Sequence, residues 1–254
     1  MDTLFEGARF LGFNLTPRQV EQFRLYYETL VEWNSRVNLT SIIEYEAVQV
    51  RHFLDSLTVG AALLKDAEAT WDEPASGPWV PAHGFRLADV GTGAGFPGVP
   101  LKIVWPHIHL MLFDSIGKKT SFLKEVVGLL GMTDVEVLTA RAEELGQEKA
   151  HRQRYDAVTA RAVASLPVLC EYCLPLVKPG GLMLAPKKGD IAQELREAQV
   201  ASRILGGDAS HLYPFTLPGE EEERFVVALR KVKPTPPGYP RRVGLAKLKP
   251  LGSE

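Results

Sequence analysis

The stretch "LADVGTGAGFPGVP", Leu87 to Pro100, sets an aspartate, Asp89, near the end of an apolar run and follows it with Gly91, Gly93, Gly95 and Gly98. Closely spaced glycines let the backbone turn through left-handed conformations and pass close under a ligand without side chains in the way. An acid just ahead of them can anchor a cationic group. A plain strand-to-helix corner needs neither so many glycines nor the acid. Four more apolar runs end in residues that can do chemistry: "HLMLFD" leads to Asp114-Ser115, "VEVL" to Arg141-Ala142-Glu143, "YDAVTA" to Arg161, and "GLMLAP" to Lys187-Lys188. If those runs are neighbouring parallel strands, their carboxyl ends gather these residues at one edge, where open α/β sheets bind ligands.

The elements needed to do this are legible. From Arg86 onward short apolar runs alternate with helical segments: a helix from about Val99, one over Lys118 to Leu130, a short one from Ala142, and one over Leu166 to Val177. Such alternation predicts a parallel sheet with helices on both faces. Gly180-Gly181 supplies a turn into "GLMLAP", and "FVVALRK" is a later strand. Upstream, Thr16-Pro17 is a helix start, and Val20, Phe23, Tyr27, Leu30 and Val31 recur at helical spacing, predicting a helix to about Arg36. More helix is expected over residues 44–64. The stretch "DAEATWDEPASGPWVPAHG" has prolines, scattered acids and no periodicity. The expected organisation is a helical head over 1–65, a surface excursion over 66–84, a Rossmann-like domain over 85–233 and a basic tail over 234–254.

Two ligand classes compete for the glycine loop. Gly93-x-Gly95-x-x-Gly98, with Asp114 about 20 residues on, satisfies the dinucleotide fingerprint and would suit an oxidoreductase. Asp89-x-Gly91-x-Gly93-x-Gly95 is similar to the loop of Rossmann-like S-adenosylmethionine-dependent methyltransferases, in which the preceding acid reaches the ligand's ammonium. Asp89 favours the sulfonium cofactor. A binding module that senses cofactor or holds RNA without catalysis is a third class.

A wider set of segments, in order along nearly the whole chain, resembles the bacterial glucose-inhibited division B family of 16S rRNA guanine-N7 methyltransferases: "EWNSRVNLTS", "RHFLDSL", "DVGTGAGFPGVPLKI", "FDSIGKKTSFL", "ARAEEL", "YDAVTARAVASL" and "YPRRVGLAKLKPL". Two features depart from the family's usual pattern: a longer 66–84 stretch, and Thr159-Ala160 where many members have a serine before the arginine. The resemblance implies a cofactor lying against Gly91, Gly93, Gly95 and Phe96, with Asp114 and Ser115 near its ribose, Ala142 and Glu143 near its adenine, and Arg161 at the reacting end. It also implies a target guanine in the loop around position 530 of 16S rRNA, methylated in the cytoplasm.

The residue types fit that chemistry. Methylating a pyrimidine carbon needs a cysteine nucleophile, and methylating an exocyclic amine goes with an Asn/Asp-Pro-Pro-aromatic loop after the fourth strand. Thr159-Ala160-Arg161-Ala162 stands there instead. Guanine N7 has a free lone pair, so its methylation requires alignment and no general base. An arginine covering N7 would block it, so Arg161 is expected on the cofactor or on O6, and its substitution should cut turnover. His52 and Asp55 of "RHFLDSL" suit helix packing as well as they suit the site.

Formal net charge is −2, but the basic residues are clustered. Lys118, Lys119, Arg141, Lys187, Lys188 and the tail residues Arg241, Arg242, Lys247 and Lys249 are the candidate RNA contacts. Cys170 and Cys173 sit one helical turn apart among leucines and read as buried small hydrophobes. No metal-ligand spacing occurs, no run approaches the ~18 apolar residues of a membrane span, and no secretory leader is legible, so a monomeric enzyme without metal or membrane association is expected.

Overall fold

The computed structural model describes residues 1–70 and 81–252. Helices α1 (Asp2–Phe10) and α2 (Pro17–Asn34) open the chain, followed by α3 (Tyr45–Val48), a π-helical segment (Gln49–Leu54) and α4 (Asp55–Thr70). Thr16 caps α2 as expected: its hydroxyl accepts from the Gln19 amide at 3.3 Å, and Gln19 Oε1 accepts from the Thr16 N–H at 2.9 Å. The Gln19 side chain also donates to the Ile103 carbonyl at 2.8 Å, fixing α2 to the sheet-covering layer. Helix α4 continues to Thr70, so the boundary expected at residue 66 falls inside a helix. The central part of the expected excursion, residues 71–80, lies outside the described residues.

Then come β1 (Arg86–Val90), α5 (Gly98–Val104), β2 (His109–Asp114), α6 (Gly117–Leu129), β3 (Val135–Thr139), α7 (Ala142–Leu145), β4 (Tyr155–Thr159) and α8 (Leu166–Cys173). The chain finishes with β5 (Val177–Lys188), α9 (Ala192–Leu205), β6 (Gly207–Phe215), β7 (Arg224–Lys231) and α10 (Leu245–Leu248). Among the described residues the strands form one sheet in the order β3-β2-β1-β4-β5-β7-β6. The first five run parallel, β7 is antiparallel to β5, and β6 is antiparallel to β7. The order reverses between β1 and β4, which places the ligand crevice beyond their carboxyl ends.

Strand residues alternate between two cores. Leu87, Leu112, Ala157 and Leu184 face one apolar cluster that also holds Phe23, Tyr26, Phe53 and Leu57 from the N-terminal helices. Ala88, Val90, Val158 and Met183 face the other, with Leu169, Cys170 and Cys173 of α8. The helical head therefore shares its core with the sheet and can reach its carboxyl edge. Both cysteine thiols are buried, and burial pushes Cys170 up to about 12.

Among the elements missing from the sequence reading are α9 and β6. Helix α9 buries small residues, Ala198, Ala201 and Ser202, along with Leu205, so its apolar stripe is faint. Strand β6 is an edge strand with polar residues and Pro214, whose missing N–H an edge tolerates. Helix α8 also ends at Cys173, short of the expected Val177, which instead opens β5.

The basic tail packs against the domain. The Arg152 guanidinium donates to the carbonyls of Thr235 and Tyr239 at 2.8 and 2.6 Å. Arg241 closes on the buried Glu171, with Nε 2.9 Å from Oε1 and Nη2 2.6 Å from Oε2.

Candidate active site

At the end of β1, Asp89 is fully buried. Its Oδ2 accepts from the Thr92 hydroxyl at 2.7 Å and from the Gly98 N–H at 2.8 Å, while its Oδ1 is buried with no hydrogen-bond partner. Burial pushes the carboxyl up to about 6, against the pull of those two donors. The contact to Gly98 puts a carboxylate at the start of α5, where a dinucleotide's pyrophosphate would otherwise sit.

Gly91, Gly93 and Gly95 all have positive φ, +65°, +60° and +96°. A side chain at Gly95 would run into the Tyr26 hydroxyl at 2.6 Å and Val99 at 2.8 Å, whereas the space over Gly93 is open. Tyr26 of α2 is fully buried and its hydroxyl donates to the Ala94 carbonyl, so the N-terminal helices brace the loop from below. From above, the Gly93 N–H donates to Asp114 Oδ2 at 3.1 Å.

Beside this loop lies a cavity of about 220 Å³ whose wall includes Gly91, Asp114, Ser115, Ala142, Glu143 and Val163. Five of the expected cofactor residues thus converge. Asp114 Oδ1 accepts from the Ile116 N–H at 3.0 Å, and Glu143 Oε1 accepts from the tail's Gly244 N–H at 3.0 Å, which fixes both carboxylates.

Phe96 and Arg161, both in the expected cofactor set, stand outside the lining of that cavity, as do Asp89, Gly93 and Gly95. The Phe96 ring is buried beneath His52, with centroids 4.5 Å apart, and the Arg161 guanidinium lies 5.0 Å from its centre. Arg161 lines a larger cavity of about 610 Å³ with Lys187, Glu194 and Arg224, and Ala162 lines both cavities. The π-helical segment and the first residue of α4 supply the rest of the grip on Arg161: its Nη1 donates to the Arg51 carbonyl at 3.1 Å and to Asp55 Oδ2 at 2.6 Å, and His52 Nδ1 is 3.3 Å from Nη2. Wider π turns recur at functional sites, and here the turn aims Arg51 and His52 at one side chain and hands on to Asp55 at the start of α4. Asp55 Oδ1 accepts from Arg224 at 2.7 Å, and Glu220 bridges Arg224 and Arg51, each at 2.8 Å. Burial, with the Arg161 charge adding to it, pushes His52 down to about 4, so it is neutral near pH 7.

His52 and Asp55 therefore belong to the site. Arg51, Arg224, Glu220 and Tyr26 escaped the sequence reading; the acids Glu220 to Glu223 registered only as a charge cluster. Of the expected RNA contacts, Lys118, Arg141, Arg242, Lys247 and Lys249 are exposed and Lys119 is half-buried, 3.7 Å from Asp114. Three are engaged otherwise: Lys187 with Glu194 at 2.7 Å, Lys188 with Glu222 at 2.9 Å, and Arg241 with Glu171. The Arg241 pair corrects its reading as a phosphate contact, since its fork is filled by a buried carboxylate.

The chain matches the family described as GidB, rRNA small subunit methyltransferase G, over residues 19–221. It is 46% identical over 251 residues to ribosomal RNA small subunit methyltransferase G of Roseiflexus sp. (strain RS-1), covering 99% of this chain and 100% of that protein. To the protein of the same name from Desulforamulus reducens it is 43% identical, over 98% of this chain and 97% of that one. The chain belongs to this family. It is accordingly an S-adenosylmethionine-dependent methyltransferase of the Rossmann-like class, and the dinucleotide oxidoreductase reading is set aside.

The residues of this GidB-family chain fit that cofactor on their own terms. A buried carboxylate oxygen without a partner, Asp89 Oδ1, calls for a cationic or hydrogen-bonding group, which an ammonium satisfies. A raised carboxyl pKa favours the protonated form in the folded chain, so the Asp89 contribution to stability falls as pH rises through about 6. An ammonium against Oδ1 favours the carboxylate instead. Cofactor affinity should therefore rise with pH up to about 6, level off above it, and be accompanied by proton release at pH 5. Asp89→Asn should bind roughly 10–100-fold more weakly at pH 7 and lose this dependence, while the free variant remains as stable as wild type. Calorimetric titration from pH 5 to 8 checks this, and a wild-type affinity flat across that range would contradict it.

Proposed function

We propose that this chain transfers a methyl group from S-adenosylmethionine to N7 of a guanine in the loop around position 530 of 16S rRNA, acting on the free RNA or the small subunit. When bound, the cofactor supplies an electrophilic methyl on a sulfonium centre. Asp89 would hold its ammonium, Asp114 and Ser115 its ribose, and Ala142 and Glu143 its adenine.

The observation that carries the choice of N7 is the state of Arg161. Its guanidinium is held by Asp55, Arg51 and His52, so its charge and its Nη1 donors are engaged at the cavity wall. A free arginine would seek N7 itself and occupy the nucleophile's lone pair. Paired with Asp55, its charge also opposes the cationic N7-methylguanine product less. Among the described residues no cysteine lines either cavity, which supports a reaction without a covalent nucleophile. His52 is neutral and stacked on Phe96, which suits a wall. N7 chemistry asks only for such a wall and for alignment.

A-form RNA buries N7 in a deep, narrow groove, so the target must be unpaired or extruded. Arg141 and Lys247 line the cofactor cavity, and with the exposed Lys118, Arg242 and Lys249 they would meet phosphates. Replacing Arg242, Lys247 and Lys249 together with alanine should lower the slope of log affinity against log salt by roughly 2 without lowering stability. Arg241→Ala, in contrast, should unfold the tail and leave that slope nearly intact. Filter binding at several salt concentrations, beside thermal unfolding, separates the two. An unchanged slope in the triple variant would remove the tail from the RNA interface.

Nucleoside analysis of 16S rRNA after incubation with labelled cofactor tests the atom. Label in N7-methylguanosine is expected, and label in a pyrimidine or an N-methylated amine would overturn the assignment.

A further inference from the structure

Adenine carries an N7 too, so aligning that atom with the cofactor cannot by itself select guanine. The opposite edge distinguishes them. Guanine presents an acceptor, O6, beside two donors, N1–H and the 2-amino group, where adenine presents a donor beside an acceptor.

One ion pair in the lining of the 610 Å³ cavity has the complementary order. Lys187, at the end of β5, donates from Nζ to Glu194 Oε2 at 2.7 Å and to the Ala164 carbonyl at 3.1 Å, which leaves one of its three protons. Glu194, in the first turn of α9, accepts at Oε2 also from the Leu166 N–H at 2.9 Å. Its side chain is held through one oxygen, and no described hydrogen bond reaches Oε1. The cavity's other carboxylates are engaged or peripheral. Both oxygens of Asp55 and both of Glu220 hold arginines, Glu222 pairs with Lys188 at the exposed rim, and the exposed Asp190, ahead of α9, accepts from the Ala192 N–H. Oε2 already accepts from two donors, so Nζ and Oε1 stand as one free donor beside one free acceptor. Ala162 lines both cavities, so a purine whose N7 meets the cofactor beside Ala162 has its other edge within the larger cavity, whose lining includes this pair.

We infer that Lys187 and Glu194 read the acceptor base as guanine, the ammonium donating to O6 and Glu194 Oε1 accepting from N1–H and the 2-amino group. This rests on the N7-methyltransferase reading above. Adenine would set its amino group against the lysine and its N1 lone pair against the carboxylate. An ion pair that only clamped α9 to β5 would be indifferent to the base.

The experiment compares kcat/KM on two ligated small-subunit rRNAs, one with guanosine and one with inosine at the target, for wild type, Glu194→Gln and Glu194→Ala. Inosine keeps N7, O6 and N1–H and lacks only the 2-amino group. Wild type should prefer guanosine about tenfold or more, and that preference should shrink to within a factor of two or three in Glu194→Ala, with Glu194→Gln between. Unchanged cofactor affinity and melting temperature certify that the variants are folded; the glutamine variant keeps the side-chain shape should the alanine one fail. A wild type indifferent to the 2-amino group, or variants that keep its full preference, would overturn the assignment. Failure of wild type to methylate the guanosine RNA at all would instead count against the N7 reading.

Discussion

Arg161→Ala should lower the turnover number about a hundredfold or more at saturating cofactor and RNA, with cofactor affinity changed only a few-fold. The guanidinium lies over Phe96, one residue beyond Gly95, and the next residue, Ala162, lies between the two cavities. It is therefore the side chain that sets the wall against which cofactor and base must meet. A misplacement of about 1 Å at such a point can cost about a hundredfold in rate. Arg161→Lys should recover only part of this, because a single ammonium cannot reach Asp55, the Arg51 carbonyl and the His52 ring together as the planar fork does. Steady-state and single-turnover kinetics give the answer; unchanged turnover would reduce Arg161 to a structural ion pair.

Asp55→Ala should produce the largest loss of stability of any change at the site. One carboxylate holds both Arg161 and Arg224, whose side chains are each 13% exposed. Removing it leaves two largely desolvated cations facing one another, and breaking a buried pair costs about 3–5 kcal/mol. For a chain of this size the fall in Tm should be roughly 6–20 °C. Asp55→Asn, which keeps the shape and one acceptor, should lose less. Denaturant unfolding checks both; a loss below about 1 kcal/mol for the alanine variant would mean that the network behaves as a solvated surface cluster.

The contrast between these two predictions shows where the sequence is readable. Asp89 and the glycines through Gly95 lie within seven positions, and their conformational demand is local, so spacing reveals it. The strand-end residues Asp114, Ala142 and Arg161 were legible because buried parallel strands are short, nearly continuous apolar runs whose ends can be counted. Asp55 meets Arg161 across 106 positions and Arg224 across 169, joined by a π-helical turn and the last strand, and no local pattern encodes that meeting. Phe96 illustrates the same limit at short range. It adjoins Gly95 in sequence, but the loop sends its ring toward His52 and Phe53, under Arg161. Arg241 shows the converse error: a basic run suggested phosphate, while the buried Glu171, which claims it, lay unremarked within the apolar pattern of α8. The head was legible as helices but its purpose was not. Bracing the glycine loop through Tyr26 and gripping Arg161 through the π-helical segment depend on packing with the sheet.

The central claim is the transfer of a methyl group to N7 of one guanine at one address. Its most direct test is incubation of unmethylated 16S rRNA, free and in small subunits, with this protein and S-adenosylmethionine, followed by chain cleavage specific for N7-methylguanine and mapping of the break. A single cofactor-dependent cut in the 530 loop is the predicted result. Cutting elsewhere, or cofactor binding with no methyl transferred to either substrate, would contradict it.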